Sequence, residues 1–447
     1  MVKVITYGTY DLLHYGHIKL LEHAKSLGDY LIVGVTADDF DKTRGKINVQ
    51  QSLMERIEAV RATGLADKII VEEYEGQKID DIRRYDVDIF TVGSDWVGKF
   101  DYLNEYCKVV YLPRTEGVSS TEIRAHTNLL KLGIVGENAM AQKYLSESRY
   151  VNSVQISAVY SKDETTQRKF KDSAVKICDT FEELLEECNA VYIDSVPQKH
   201  ERQIRTALKS GKHVLCESPI TLDPTTTKEL FDLARSRNLV LMEAIKTAFT
   251  TAYNRLLLLI KGGRIGKVVS VDSVCTSLME RNPLHEQREQ LWSGFEAWAP
   301  TALLPIYQIL GTEKCSESFV ASFYNEEKHF DRYSQVNIVY PDAVAMARVG
   351  VGIKSEGQLI VSGTRGYIYV PAPWWKTDYF EIRYEDQTNN RRYFYQLDGE
   401  GIRCGLVSFA RAVREMKHMG YIDEDVTIKI ADVFKKYENR EQLIEIN

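Results

Sequence analysis

GTYDLLHYGHIKLL, residues 8–21, follows the apolar run Val2–Tyr7 and leads into a helical run around Ile18–Leu27. A strand that ends in a glycine turn and restarts as a helix is the opening of an α/β domain. The turn's backbone, with Gly8, Thr9, Tyr10 and Gly16 in it, offers N–H groups beside a helix N-terminus, a setting suited to phosphate oxygens. His14 and His17 are three residues apart at the helix start, so their side chains point to the same side. Two imidazoles there can donate to bridging and terminal phosphate oxygens while charge moves onto a leaving pyrophosphate. Phosphoryl-type transfer needs little more than such positioning and charge stabilisation.

Outward from this stretch, short apolar strands alternate with amphipathic helices up to Leu112: YLIVGVTA (30–37), KIIVEE (68–73), DIFTVGSD (88–95) and VVYLP (109–113). The alternation predicts a parallel sheet covered by helices. TRGKINVQQSLMERI carries Arg44 and Lys46 after the second strand and Arg56 on the next helix. Alone, such cations are a solvated loop; after a phosphate-binding opening they become candidates for anion contacts. In YLPRTEGVSSTEIR, residues 111–124, Ser119, Ser120 and Thr121 stand where a helix should start, with Glu122 in its first turn. They read either as an N-cap or as a cradle of hydroxyl and N–H groups for a phosphate chain.

A second opening follows: Leu132–Val135, GENAMA, and a helical run to about Ser146. Its strands are SVQISAVYS (153–161), AVYIDS (190–195), HVLCES (213–218) and LVLMEA (239–244). After about residue 265 strands follow one another closely (VVSVDSVCTS, FVASFY, SQVNIVY, AVAMARVGVG, GQLIVSG, GYIYVP), which predicts a mainly antiparallel sheet. The tail from Gly401 reads as helical. The expected fold class is α/β, with domains at 1–129, 130–250 and 251–447.

Composition narrows the class. The 447 residues are 44% hydrophobic and 27% charged, with a net charge of −7. That surplus argues against unspecific binding to nucleic acid or anionic membranes. No apolar run is long enough for a membrane span, and the opening MVKVITYGTYDLLHYGH lacks the pattern of a secretory signal. Seven cysteines are scattered singly without metal-ligand spacing, as expected of reduced core residues in a cytoplasmic protein. The sequence leaves any metal ligands unassigned.

ITYGTYDLLHYGHIKLLEHAKSLGDYLIV, GSDWVGKFDYL and VVYLPRTEGVSST resemble the bacterial glycerol-3-phosphate cytidylyltransferase family, almost throughout residues 1–125. The resemblance implies a small Rossmann-like nucleotidyltransferase, direct in-line attack, CTP with Mg²⁺, and a small polyol phosphate as acceptor. It implies that Thr9 and Tyr10 hold phosphates through the backbone. His14 and His17 stabilise the transferring phosphate, and Lys46 binds CTP. Arg44 and Lys78 contact the acceptor phosphate, and Arg114, Thr115, Gly117, Ser119, Ser120 and Thr121 line the cytosine and triphosphate. Asp95 and Trp96 match the family's DW pair. Two departures lie near the acceptor pocket: Ser94 precedes Asp95 where the family often has Asp, and one residue is inserted between Lys46 and Arg56. They leave the polyol unassigned. The products of this family feed surface polymers such as teichoic acids or capsules. A nucleotide-sensing binding protein is the rival reading from a different class.

LGIVGENAMAQKYL is a weakened dinucleotide turn: Gly136 and Ala141 fit a G-x-G-x-x-A pattern, but Asn138 replaces its middle glycine, which normally lets the backbone approach the pyrophosphate. Ser161 and Lys162 after the second strand suit a 2′-phosphate better than a bare ribose. ALKSGKHVLCESPITLD, LVLMEAIKTAF, IGKVVSVDS and GQLIVSGTRGYIYVPAPWW resemble the glucose–fructose oxidoreductase / inositol dehydrogenase / MocA family from about Leu132 onward. That implies a Rossmann domain for NAD(P), touched by Gly136, Asn138, Ala141, Lys162 and Glu217, and an open sheet whose face often mediates dimerisation. The family's catalytic pattern is missing. Its E-K-P reads Glu217-Ser218-Pro219, and its helix-borne Asp and His or Tyr fall near Ala297 and Thr301. A serine replaces a general-acid lysine poorly; Lys246 is the alternative amine. A degenerate, non-catalytic module is the expectation, with a working reductase that makes the polyol phosphate as the alternative, and a homodimer or higher oligomer as the expected assembly.

Overall fold

The computed structural model describes the chain except residues 38–48, 50, 52, 75, 114–128, 137–138, 152, 172–174, 279–291, 314, 325–329, 396, 398, 417–420 and 447. It separates into two compact units, Met1–Leu129 and Leu130–Asn447.

The first unit runs β1 (Lys3–Gly8), α1 (Tyr15–Ser26), β2 (Tyr30–Thr36), α2 (Leu53–Ala62), β3 (Lys68–Glu72), α3 (Gln77–Tyr85), β4 (Ile89–Gly93) and β5 (Lys108–Leu112). All five strands are parallel, in the order β3–β2–β1–β4–β5. The strands are apolar on both faces because helices cover both. Val4, Leu31 and Val33 pack with Leu21 of α1 and Ile57 and Val60 of α2. Their neighbours Ile5, Tyr7 and Ile32 turn the other way, onto Ile82 of α3 with Phe90 and Leu103. Gly34 of β2 lies in register with Tyr7, and a Cβ there would overlap the Tyr7 ring. The glycine thus lets that ring lie flat across the sheet.

The second unit begins with β6 (Leu130–Gly136), α4 (Ala139–Ser148), β7 (Val154–Tyr160), α5 (Glu164–Lys171), β8 (Lys176–Cys178), α6 (Phe181–Glu186), β9 (Ala190–Asp194), α7 (Pro197–Lys209), β10 (His213–Cys216), α8 (Pro224–Ser236) and β11 (Leu241–Glu243). These strands form a parallel sheet ordered β11–β10–β9–β6–β7–β8. After α9 (Thr251–Lys261) come β12 (Val268–Ser277), α10 (Gly294–Leu310), β13 (Ser316–Phe323), β14 (Asp331–Val339), β15 (Val344–Val351), β16 (Leu359–Gly363), β17 (Tyr367–Val370), β18 (Tyr379–Arg383) and β19 (Arg391–Phe394). The chain closes with α11 (Ile402–Glu415), α12 (Glu424–Glu438) and β20 (Leu443–Glu445).

The second sheet has nine strands, ordered β19–β18–β17–β16–β12–β15–β14–β13–β20. It is mainly antiparallel, as expected, with two parallel pairs, β12–β15 and β13–β20. Parallel neighbours need a crossover, and α10 lies within the β12–β15 connection. Phe295, Leu303 and Ile306 of α10 are buried in one core with Val271, Val349, Ile368 and Phe380 of the sheet. Ser293 and Glu296 close a capping box at its start. The tail is not wholly helical, since β20 adds a strand beside β13. Leu406 and Phe409 of α11 return to the six-stranded sheet, packing with Leu132, Tyr144 and Tyr192.

Candidate active site

In the first sheet the strand order reverses between β1 and β4, and both strands end at the same edge. A parallel sheet binds ligands in the crevice beyond such a reversal, at the carboxyl ends of its strands. Both sequence signals lie there: the 8–17 turn leaves β1, and the Ser94–Trp96 turn leaves β4. Arg44, Lys46, Arg114, Thr115, Gly117, Ser119, Ser120 and Thr121 lie outside the described residues. The described neighbours Thr36 and Leu112, which close β2 and β5, stand at this same edge.

The turn is held in an uncommon shape. Tyr10 and Leu12 have φ of 53° and 48°, a left-handed conformation that costs a non-glycine residue energy and persists only where the surroundings enforce it. The enforcement comes from the next layer. Leu12 N–H donates to Gln51 Oε1 at 2.7 Å, and Gln51 N–H donates to Asp11 Oδ1 at 2.9 Å. Arg56, fully buried on α2, donates to the carbonyls of Thr9 (2.7 Å), Thr36 (2.8 Å) and Gln51 (3.1 Å). One guanidinium therefore ties the β1 turn to the end of β2. Tyr10 folds its ring back beneath Gly8, where a Cβ would come within 3.0 Å of it, and burial pushes its phenol pKa up.

His14 is the N-cap of α1, with extended backbone at φ −130° and ψ 175°; its Nδ1 accepts the Gly16 N–H at 3.1 Å. In a neutral imidazole that assigns the proton to Nε2, leaving a donor at the tip of the ring. The His17 ring stacks on it, 3.9 Å between centroids with 22° between planes, and Tyr10 meets His17 edge-on at 5.6 Å. Two aligned imidazoles at a helix N-terminus concentrate hydrogen-bond donors and positive potential on one spot.

Lys78 of α3 is buried, paired with Glu72 at the end of β3, and lies 4.7 Å above the Tyr7 ring and 5.5 Å from that of Phe100. Around the pair, Thr36 Oγ1 donates to Glu72 (2.9 Å), and Tyr7 OH and Gln77 Nε2 donate to Asp81 (2.9 and 3.0 Å). Asp95 is exposed and Trp96 half-buried beside Phe100, 5.8 Å between ring centroids. The sequence reading missed the anchoring by Arg56 and Gln51 and the Glu72–Lys78 pair. Among the described residues no three His, Cys, Asp or Glu side chains cluster as metal ligands, and no helix is long and apolar enough to cross a membrane.

In the second unit Gly136 ends β6 and Ala141 is fully buried on α4; Asn138 lies outside the described residues, and Lys162 is exposed after β7. Glu217, following β10, accepts the Tyr192 hydroxyl at 2.5 Å. Desolvation raises its pKa, while the nearby Lys246 ammonium works the other way. Lys246 Nζ sits 3.6 Å from Met140 Sδ. Ser218 donates to Glu243, which also accepts from Thr427 at 2.6 Å. Ala297 and Thr301 are half-buried in the first turns of α10.

A five-stranded parallel sheet with a left-handed turn and paired imidazoles at its reversal is the arrangement expected of a nucleotidyltransferase-type domain. Comparison with known proteins agrees. Residues 5–126 match the cytidylyltransferase-like family model, and residues 130–245 match that of the oxidoreductase family with an NAD-binding Rossmann fold. Glycerol-3-phosphate cytidylyltransferase of Bacillus spizizenii is 52% identical over 124 residues, 28% of this chain and 95% of that protein. Through its first unit the chain belongs to the cytidylyltransferase-like family, and it is a nucleotidyltransferase. In the second unit the NADP⁺-dependent scyllo-inositol 2-dehydrogenase IolU of Bacillus subtilis is 31% identical over 132 residues, 29% of this chain and 40% of that enzyme. The crystal structure of KijD10, a 3-ketoreductase from Actinomadura kijaniata in complex with NADP and TDP-benzene, superposes with a TM-score of 0.63 at 18% identity. It covers 72% of this chain and the whole of that one, a likeness of fold.

Proposed function

We propose that the first unit transfers CMP from CTP to a small polyol phosphate of the glycerol phosphate type and releases pyrophosphate. The CDP-polyol would serve cell-surface polymer synthesis in the cytoplasm. The stacked His14–His17 pair at the N-terminus of α1 carries this reading. The acceptor hydroxyl attacks the α-phosphorus in line and gives up its proton to solvent, and the bond to the pyrophosphate oxygen breaks as the new one forms. The Nε2–H of His14 and the ring of His17 stabilise the charge on the departing oxygens, assisted by Lys46. Gly8, Thr9, Tyr10 and Gly16 receive phosphate oxygens through backbone N–H groups, and Arg114, Thr115, Gly117, Ser119, Ser120 and Thr121 close on cytosine and triphosphate. Arg44, Lys78, Asp95 and Trp96 form the acceptor side. Mg²⁺ bound to the triphosphate would supply further neutralisation of its charge. Pyrophosphate release from CTP and Mg²⁺ with glycerol 3-phosphate, glycerol 2-phosphate or ribitol 5-phosphate tests this; CTP left intact with every acceptor would refute it.

For the second unit, read as domains 130–250 and 251–447, we propose a non-catalytic role in assembly. Ser218 is committed to Glu243, and neither Ala297 nor Thr301 is an acid able to protonate an alkoxide near neutral pH. The exposed apolar side chains Val269, Val344, Tyr367 and Phe394 of the nine-stranded sheet favour a homodimer or higher oligomer. The rival, a working reductase, draws on Lys246 beside Glu217. Steady NADPH oxidation with dihydroxyacetone phosphate or ribulose 5-phosphate, abolished by Lys246→Ala, would establish the rival.

A further inference from the structure

In the six-stranded sheet the order reverses between β9 and β6. A dinucleotide crosses such a sheet at this point, its pyrophosphate against glycine backbone at the end of the first strand. Here β6 and β9 end in register at Gly136 and Asp194. The Asp194 side chain is buried, and its Oδ2 lies 3.3 Å from the place where Gly136 would carry a Cβ. A carboxylate from the adjacent strand thus stands against the glycine that opens the dinucleotide turn.

The surroundings add to the mismatch. Glu217 follows the next strand and Glu243 ends the one after it, so three neighbouring strands each bring a carboxylate to this edge. Asp194 and Glu217 both act on the buried Tyr144 and Tyr192 phenols and help raise their pKa values beyond the effect of burial. These two rings stack at 3.7 Å. The charge of Lys246 already acts on Glu217. A diphosphate entering here meets the buried Asp194 carboxylate in a setting of low dielectric.

We infer that Asp194, a buried carboxylate beside the Gly136 turn, repels the pyrophosphate and excludes NAD(H) and NADP(H), so that the second unit keeps the oxidoreductase fold without its cofactor. The inference deepens the non-catalytic reading of this unit, and binding rather than turnover tests it. The intact chain is titrated with NADPH by fluorescence and with NADP⁺ by calorimetry, alongside Asp194→Ala and Asp194→Asn. The natural chain should show no saturation up to ~1 mM, and at least one variant should bind roughly 100-fold more tightly. The asparagine keeps the size of the side chain and removes its ionisable group, so it carries the test if the alanine variant does not fold. Saturable micromolar binding by the natural chain overturns the inference. So do two variants that melt like the natural chain and still ignore NADPH. Binding by the natural chain without oxidation of NADPH would sink this inference alone; turnover would sink the non-catalytic reading with it.

Discussion

His14 serves two purposes through its two nitrogens, and the two can be separated. Nδ1 caps α1, and Nε2 is left to donate. Asparagine offers a cap acceptor but is too short to carry its amide donor to the position of Nε2, so His14→Asn should keep the melting temperature and lose turnover. His14→Ala should lose both, with about 0.5–2 kcal/mol of stability gone from the cap. Removing a donor to developing charge should lower kcat about 10²–10³-fold, as should His17→Ala. Steady-state kinetics at saturating CTP and acceptor, with thermal melts, check this; a change confined to the KM for CTP would place the rings in ground-state binding instead. Lys78 calls for a different test, because its ammonium is paired with the buried Glu72. Lys78→Ala should destabilise the first unit by about 3–5 kcal/mol, since it strands a buried carboxylate. Lys78→Met with Glu72→Gln should recover much of that in urea unfolding. The acceptor KM of the double variant then reports on contact with the acceptor alone, and an unchanged value would remove Lys78 from the acceptor side. The histidines were legible in the sequence because cap, turn and motif fall within ten residues. The Lys78 pairing was not, because a carboxylate at a strand end and an ammonium at the next helix start form no motif until strand and helix fold onto each other.

Among elements, α2 acts on the site from behind. The three carbonyls that Arg56 gathers have no side-chain signature, so no motif could announce the contact. Arg56→Met should leave buried carbonyls unsatisfied at about 1–3 kcal/mol each, and Arg56→Lys, with one compact ammonium, should rescue only part. Hydrogen exchange should quicken at residues 9–13 in both variants, while exchange in β4 stays slow. Equal quickening in β4 would mean general destabilisation rather than release of the turn. In the second unit, Glu400 joins Lys143 of α4 (2.8 Å) to Lys376 (2.7 Å). Burial opposes its charged form, but the two ammonium groups prevail and hold its pKa at about 2. A carboxyl depressed in the folded state stabilises above its unfolded pKa of about 4.3 and loses that contribution as pH falls through about 2. The gap in melting temperature between the natural chain and Glu400→Gln should therefore be full above roughly pH 5 and close toward pH 2. A gap independent of pH would assign the effect to packing. The strands of both parallel sheets were readable from apolar runs and their spacing. The parallel pairing of β12 with β15 was not, because a strand's sequence does not record which neighbour a crossover delivers it to.

At the level of the molecule, the two units have separate cores, and every strand of the first sheet comes from residues 3–112. Residues 1–129 alone should fold and retain the transferase turnover of the whole chain, and calorimetry of the intact protein should resolve two transitions. A fragment that is folded but inactive would mean that the second unit completes the active site. The same reach of length explains what the sequence concealed in the second unit: Asp194 ends an apolar strand like any polar residue, and Gly136, which gives it meaning, lies in another strand of the sheet.

Because that first sheet borrows nothing from later chain, its edge strand β5 is already made when residues 130–447 are not. At about 5–20 residues per second, synthesis of that remainder takes roughly 15–60 s, long against the millisecond-to-second folding of a domain this small. The transferase is thus able to reach its native state on the ribosome. If copies associate through the later-made sheet, as proposed above, they would meet only after each first unit has folded, and errors in that assembly would fall on the second unit.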